Sequence, residues 1–536
     1  MTDTQRPSVI RSARTVSLAV LGSRVLGLVR EQVLASLFGA SLEFDAFVTA
    51  FRIPNLLRDL FAEGALSAAF VTTFSRKLET DGDQAAWRLA NLVLNALLIV
   101  LGVITVAGIL AAPWLVRLIA PGFANIPGKT ELTVTLTRIM FPFLLMVAMA
   151  ALAMGMLNAK HRFGVPASAS MMFNVGSVVG GVGLAFLFTP GFEPRNRAMM
   201  CMAVGTLIGG AAQWLIQGPS LHAVGYRYAP IVDWHDPGFR QVVKLIGPSV
   251  LGVAAVQINV FVDNWYASFF GNGAVTWLNC AFRLMQFPIG VFGVAIGVAT
   301  LPTVSKHIAR GDIGAFRKTL GRSIRLAFFL CVPAACGLAL LADPIISVIY
   351  QHGRFDASST AQTALCLRAF AVGLAGYAAI KVIAPTFYAF GDSRTPMYVA
   401  LFSIVVNAGL DYVFAVTLKM GVAGLALSTS CVALTNFFLL LALMRRRIER
   451  VEASVLLKSL VRIAIASAAM SGAIYGTHRL LASNRYLDVA GSMAVALIVF
   501  GASCKLLRVA EFGELLGVLK FGAKDESQSQ SPGTSQ

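Results

Sequence analysis

The sequence predicts an all-α polytopic membrane protein of about 14 transmembrane helices. They form two six-helix lobes related by a parallel pseudo-twofold, plus two extra C-terminal helices. Three observations predict this. Hydrophobic residues make up 57% of the 536, with a mean hydropathy of +0.73. Charged residues are only 13%, about half the ~25% of soluble proteins. The apolar residues lie in runs long enough to cross a hydrocarbon layer of ~30 Å, separated by short basic gaps. An ordinary soluble domain and a disordered chain are both excluded.

Fourteen runs reach the necessary length: 15–38, 45–75, 86–112, 131–158, 165–189, 198–218, 240–270, 274–303, 318–349, 360–390, 395–417, 421–444, 456–481 and 487–507. The first carries Arg24, Arg30 and Glu31 in its middle. That is unlike the apolar core of a signal peptide, so it reads as a retained helix. The polar tail KDESQSQSPGTSQ is expected to be disordered. The seven cysteines are odd in number and scattered through apolar runs, so they read as small buried hydrophobes rather than a disulfide framework or a metal site.

The net charge of +18 would suggest nucleic acid in a soluble protein. Here the basic residues sort by side. With loops numbered alternately, 28 Lys and Arg fall on the side of the termini, 8 on the opposite side and 8 within spans. This bias places both termini in the cytoplasm and requires an even number of helices. No nucleic-acid partner is expected.

The chain also repeats. LASLFG at 34–39 and Ala50-Phe51-Arg52 recur as YASFFG at 266–271 and Ala281-Phe282-Arg283, an offset near 231. Ser75-Arg76 matches Ser305-Lys306, and Asn174 pairs with Asn407. An offset of six helices preserves orientation, so the pseudo-twofold axis lies along the membrane normal, the arrangement of two bundles that rock about a central site. The expected division is 1–225 for the N-terminal lobe, 226–450 for the C-terminal lobe, 451–510 for helices 13 and 14, and 511–536 for a largely disordered cytoplasmic tail.

Charges inside spans cost about 2.5–3.5 kcal/mol each at the helix centre. Yet helix 1 holds Arg24, Arg30 and Glu31, helix 2 holds Asp45, Arg52, Arg58, Asp59 and Glu63, and helix 8 holds Arg283. Five arginines are too many to face lipid, so they are expected to line a water-filled cavity. Arginine grips phosphate in a planar fork, so the cavity suits a phosphate or diphosphate. The competing reading pairs them with Glu31, Asp45, Asp59 and Glu63 as structural bridges. A second set, Asp263, Asn407, Asp411 and Thr429, offers hard oxygen ligands suited to Na⁺ or a proton. Proline at 54, 142, 248, 288, 333 and 385 allows kinks.

Enzyme motifs are missing. Gly122 to Thr130 has five residues between its glycines where a P-loop has four, and no strand precedes it. No HExxH occurs, and no loop is large enough for an ATPase domain. No cofactor is expected beyond Na⁺ or H⁺ as a coupling ion.

The runs SRVLGLVRE (23–31), FGASLEFDAF (38–47) and FRIPNLLRDLFAEGALSAAFV (51–71) closely resemble the MurJ (MviN) family of the multidrug/oligosaccharidyl-lipid/polysaccharide exporter superfamily. Residues 282–307 and FGDSRTP (390–396) extend the resemblance over nearly the whole chain. It implies a flippase that moves lipid II, the undecaprenyl-diphosphate-linked peptidoglycan precursor, across the bacterial inner membrane. It assigns cavity arginines to Arg24, Arg30, Arg58 and Arg283, a further basic position to Arg52, and acidic gating positions to Asp45 and Glu63, with Glu31 beside them. It also implies an Na⁺ site at Asp263, Asn407 and Asp411, a lipid-tail groove on helices 13 and 14, and partners among membrane lipids and cell-wall synthesis proteins. Phe282 and Gln286 stand where some relatives carry acids. Alternatives are a flippase for another polyprenyl-diphosphate glycan, a cation-coupled drug exporter, or a non-transporting membrane scaffold. The drug exporter needs an apolar or acidic cavity, which the arginines oppose.

Overall fold

The computed structural model describes residues 6–59, 67–448 and 453–514. Glu63 and the tail beyond 514 lie outside the described residues. Everything regular among the described residues is helical. Among the described residues, eleven helices are long and apolar enough to cross a membrane. The expected spans 15–38 and 240–270 fall on two further, charge-bearing helices, and the described parts of 45–75 on two more. The chain is a multi-pass membrane protein.

Contacts divide it into two compact units. The first comprises residues 1–280 and 350–359, the second 281–349 and 360–536. Contacts and the internal repeat therefore divide the chain at different points, because the helix that opens the second repeat packs within the first unit.

The first unit begins with α1 (Arg6–Phe38), α2 (Leu42–Arg58) and α3 (Ser67–Thr80). Ser41 caps α2 by accepting a hydrogen bond from the Phe44 amide at 3.3 Å. α4 (Gly82–Ile119) follows. The expected fourth span is split by Pro142 into α5 (Lys129–Met140) and α6 (Phe143–Ala159), since proline lacks the amide the helix needs. α7 (Gly164–Phe188) and α8 (Arg195–Leu215) come next, then the short α9 (Gly218–Ala223). α10 (Pro237–Ala267) starts with Pro237 in its first turn and the Asp236 carboxylate accepting the Phe239 amide at 3.0 Å. The strand-like connection before it is tied to α4: Asn91 and Asn95 donate to the carbonyls of Arg227, Ala229 and Ile231 and accept the hydroxyls of Tyr226 and Tyr228. Burial there pushes the Tyr226 phenol up to about 12. The unit closes with the head of α11 (Ala274–Pro288).

The second unit continues from α11 through a π-helical turn, Ile289–Gly293, just after Pro288. It holds α12 (Val294–Ala309), α13 (Ile313–Leu340), α14 (Ala342–Ile349), most of α15 (Ala357–Ala389), α16 (Arg394–Asp411) and α17 (Gly421–Ile448). α18 (Ala453–Leu481) and α19 (Arg485–Leu506) form a hairpin, with Asn484 accepting the Tyr486 and Leu487 amides at 3.0 and 3.3 Å. In the FGDSRTP turn, Asp392 accepts the Thr395 hydroxyl at 2.6 Å and the Thr395 amide at 3.0 Å. Those bonds hold its carboxyl below the usual carboxylate range. Residues 511–514 are helical.

Helices in lipid gain no hydrophobic energy from meeting each other, so close backbone approach matters more. α7 and α8 meet through glycine. A Cβ on Gly205 would lie 2.4 Å from the Gly181 Cα, and one on Gly209 would lie 2.4 Å from the Phe173 carbonyl oxygen. Gly183, also on α7, has nothing within 4 Å. Gly205→Leu is therefore expected to destabilise the detergent-solubilised protein by at least about 1–3 kcal/mol, read as a lower thermal midpoint. Gly183→Leu should leave that midpoint within error.

Candidate functional site

Asp45 sits in the first turn of α2, fully buried. Lys129, the first residue of α5, is equally buried and places its Nζ 2.8 Å from Asp45 Oδ2. A cation at a helix N-terminus opposes the helix dipole. Its position follows from its partners. Nζ also donates to the Gly271 carbonyl and to Asn272 Oδ1, each at 3.2 Å, and stands 4.2 Å from the centre of the Phe123 ring. Asp45 in turn accepts the Gly273 amide at 2.7 Å, the Thr276 amide at 2.8 Å and the Thr276 hydroxyl at 2.7 Å. Those amides open α11. Asp45 thus caps a helix distant in sequence, satisfying donors that the helix itself cannot. The turn that delivers them needs glycine: φ is +85° at Gly271 and +89° at Gly273, and a Cβ on Gly273 would lie 2.9 Å from the Ala40 carbonyl oxygen. Asp45 and Thr276 are 231 residues apart, the offset at which the sequence repeats.

Below this cluster, α2 and α10 are bridged by side chains. Thr49 donates to Asn264 Oδ1 at 3.4 Å, and both residues are buried. Arg52 donates to the Val260 carbonyl at 3.4 Å, and Gln257 donates to Asp59 Oδ2 at 2.8 Å. Positions rise along α2 as they fall along α10, so the helices are antiparallel. From Asp45 to Asp59 the polar face spans about 21 Å at 1.5 Å per residue. On α1, Glu31 is buried and accepts Asn279 Nδ2 at 2.5 Å.

The predicted arginines differ in their surroundings. Arg58 donates from Nε and Nη2 to Asp59 Oδ1, at 3.1 and 2.8 Å. Arg30 is half-buried, its guanidinium 5.0 Å from the centre of the Phe173 ring and 5.7 Å from that of Phe51. Asp263, Glu31 and Asp45 are the carboxylates whose charge acts on Arg52. Arg24 is half-buried and makes no hydrogen bond or ion pair with a described residue. It stands fourteen residues, about 21 Å, from the end of α1. Arg283, in the second unit, is exposed on α11.

The predicted oxygen ligands fall in both units. Asp263 is buried on α10 in the first. In the second, Asn407 Nδ2 donates to Asp411 Oδ2 at 3.2 Å, one helical turn on. Ser428 of α17 donates to the Asn407 carbonyl at 3.2 Å, and Thr429 donates to the Leu425 carbonyl at 2.9 Å. Ser428 escaped the sequence reading because an isolated serine in an apolar helix carries no signal. Lys129 escaped it because it was counted as a loop charge.

Comparison with known proteins agrees with this architecture. The family model for the lipid II flippase MurJ matches residues 34–490. The lipid II flippase MurJ of Burkholderia cenocepacia is 36% identical over 445 residues, 82% of this chain and 84% of that protein. A relative from Vibrio cholerae with the same family name is 35% identical over 480 residues, 87% of this chain and 88% of its own length. A solved structure of lipid II flippase MurJ in an inward closed conformation superimposes with a TM-score of 0.77 at 24% identity, covering 94% of this chain and 99% of that one. An inward-facing multidrug resistance MATE transporter shares the fold at a TM-score of 0.63 and 18% identity, over 81% of this chain and 94% of that one. These relatives are transporters rather than enzymes, and the chain belongs to the lipid II flippase MurJ family.

Proposed function

We propose that the chain carries lipid II from the cytoplasmic to the periplasmic leaflet of the bacterial inner membrane by alternating access. Both termini are cytoplasmic, and two six-helix lobes move relative to each other. The observation that carries the reading, together with family membership, is Arg24: a half-buried guanidinium within a membrane helix, uncommitted to any described carboxylate. A buried cation with spare donors fits a ligand that brings its own negative charge.

We assign Arg24, Arg30, Arg52 and Arg58 of the first unit, and Arg283 of the second, to the diphosphate. Arg58 is the weakest ligand of the set, because Asp59 already occupies it. The isoprenoid tail stays in lipid along α18 and α19. An inside-negative potential favours export of an anion. Two charges crossing the full field correspond to about 4.6 kcal/mol per 100 mV.

Asp45 and Glu31 are assigned to gating, together with Glu63 by resemblance. For the ends of α2 and α11 to part, Asp45 must release the Lys129 ammonium and the donors of Gly273 and Thr276. Asp263, Asn407, Asp411 and Thr429 are assigned to a coupling cation, with Ser428 added. The Asn407 and Asp411 side chains already meet, and carboxylate, amide and hydroxyl oxygens are the donors Na⁺ prefers. Such an ion would supply a charge that resets the carrier. Cell-wall synthesis proteins are its expected neighbours.

Depleting the protein in its host, while an externally added enzyme cleaves lipid II at the outer face, tests the function. The accessible pool should vanish as lipid II accumulates inside; an unchanged pool would reject the assignment. Arg24→Ala should fail to restore the pool although it is expressed at normal level, and full restoration would remove Arg24 from the diphosphate site. Removing one partner of a buried ion pair costs about 3–5 kcal/mol. Lys129→Met and Asp45→Asn should each lower unfolding stability by about that amount, and the double variant by much less than their sum. Additive losses would mean the two groups do not act as a pair.

A further inference from the structure

The fold of the last described residues builds a groove at the end of α19 that none of the proposed diphosphate-binding arginines lines. At the end of α19 the Val509 amide donates to the Cys504 carbonyl at 2.9 Å, reaching back across the turn, with Arg508 between them at φ +50°. This is the helix-ending turn whose left-handed residue is usually glycine. An arginine held there against its backbone preference points to a use for its side chain. The turn sends residues 510–514 back along α19, bringing the Phe512 ring to within 3.8 Å of a Cβ built on Gly501. Between them lies a groove of about 610 Å³, walled by Leu497, Ile498, Gly501 and Phe512, with Lys505 and Arg508 also lining it.

The carboxylates nearest in sequence are committed elsewhere. Glu511 is buried and accepts Arg325 Nε at 2.8 Å and the Ser459 hydroxyl at 3.0 Å. Glu514 accepts Arg322 Nε at 2.8 Å. The exposed side chains of Lys505 and Arg508 form no hydrogen bond or ion pair with a described residue. The Arg508 carbonyl, by contrast, accepts Arg462 Nη1 at 3.2 Å, which pins the turn to α18. Leu497 and Ile498 are 73% and 70% exposed, so the apolar wall is open to the surroundings of the helix.

We propose that this groove holds one anionic phospholipid, its phosphate on Lys505 and Arg508 and an acyl chain against Leu497, Ile498 and Phe512. Two cations without a partner among the described residues, at the end of a membrane helix and above an apolar channel, complement a charged headgroup above its chain. The assignment rests on the sidedness proposed above, which puts this helix end at the cytoplasmic leaflet. The substrate's diphosphate is assigned to other arginines, so the phosphate held on Lys505 and Arg508 is that of a resident lipid.

The test reads binding, so it is independent of whether the chain flips lipid II. The full chain, purified and stripped of lipid in detergent, is offered equal amounts of phosphatidylglycerol and phosphatidylcholine, and retained lipid is counted by native mass spectrometry. Wild type should retain phosphatidylglycerol with a preference on the order of tenfold. Lys505→Gln/Arg508→Gln should abolish that preference, and Arg445→Gln/Arg446→Gln, with the same charge change at the end of α17, should keep it. Ile498→Trp, which fills the groove, should lower retention of both lipids. Preference surviving in the Lys505/Arg508 variant, or lost equally in the control, would overturn the site. Displacement of phosphatidylglycerol by an equal amount of undecaprenyl phosphate would also overturn it, by showing that the groove takes the substrate's tail.

Discussion

The organisation of the first unit depends on one buried ion pair. Asp45 and Lys129 are both fully enclosed, where an unpaired charge would cost several kcal/mol. They are tolerated because the Lys129 ammonium has three oxygen acceptors and both Asp45 oxygens accept hydrogen bonds. Three chain segments must converge to provide this: the first turn of α2, the start of α5, and the Gly271–Gly273 turn with the head of α11. Apolar residues such as Ile53 and Phe141 cluster alongside, but the hydrophobic effect is non-directional and does not by itself set a register. The polar cluster fixes it, and the α2–α10 bridges below continue it. A junction held by hydrogen bonds and one ion pair can separate into water without exposing a large apolar surface. That property suits a structure that must open and close.

The same physics separates the charged side chains into two kinds. Asp45, Glu31 and Lys129 are satisfied by protein groups, so they define a conformation. Arg24 lies within α1 and has no partner among the described residues, which is why we propose it for the ligand. The sequence reading had paired the acids with the arginines as its competing account. Asp59 does pair with Arg58, but Asp45 turns instead to a lysine and to the amides of a distant helix.

Helices and the Pro142 break were legible because each carries a local signature: apolar length or a missing amide. The repeat was legible too, and its offset connects Asp45 to Thr276, the residue that holds it. What was not legible is the partner set. Lys129 looked like any loop cation, because nothing in its neighbours reveals that it is buried. Thr276, Asn264, Asn279 and Ser428 are neutral polar residues, and backbone amides have no sequence identity at all. The helical return at 510–514 was hidden in the same way, since Glu511 looks like a tail charge until Arg325 is brought beside it.

We propose that the junction of α2 with α10 and the head of α11 opens during transport. Thr49 and Asn264 lie in that junction, uncharged, buried and hydrogen-bonded. Replacing both by cysteine and oxidising them would fasten the two helices while leaving the ion pair intact. The direct measurement is the amount of lipid II reaching the outer face in cells carrying this cross-link, before and after reduction. The oxidised form is expected to stop delivery, and a reductant to restore it, if the junction opens. Delivery at the uncross-linked rate by fully oxidised protein would contradict it.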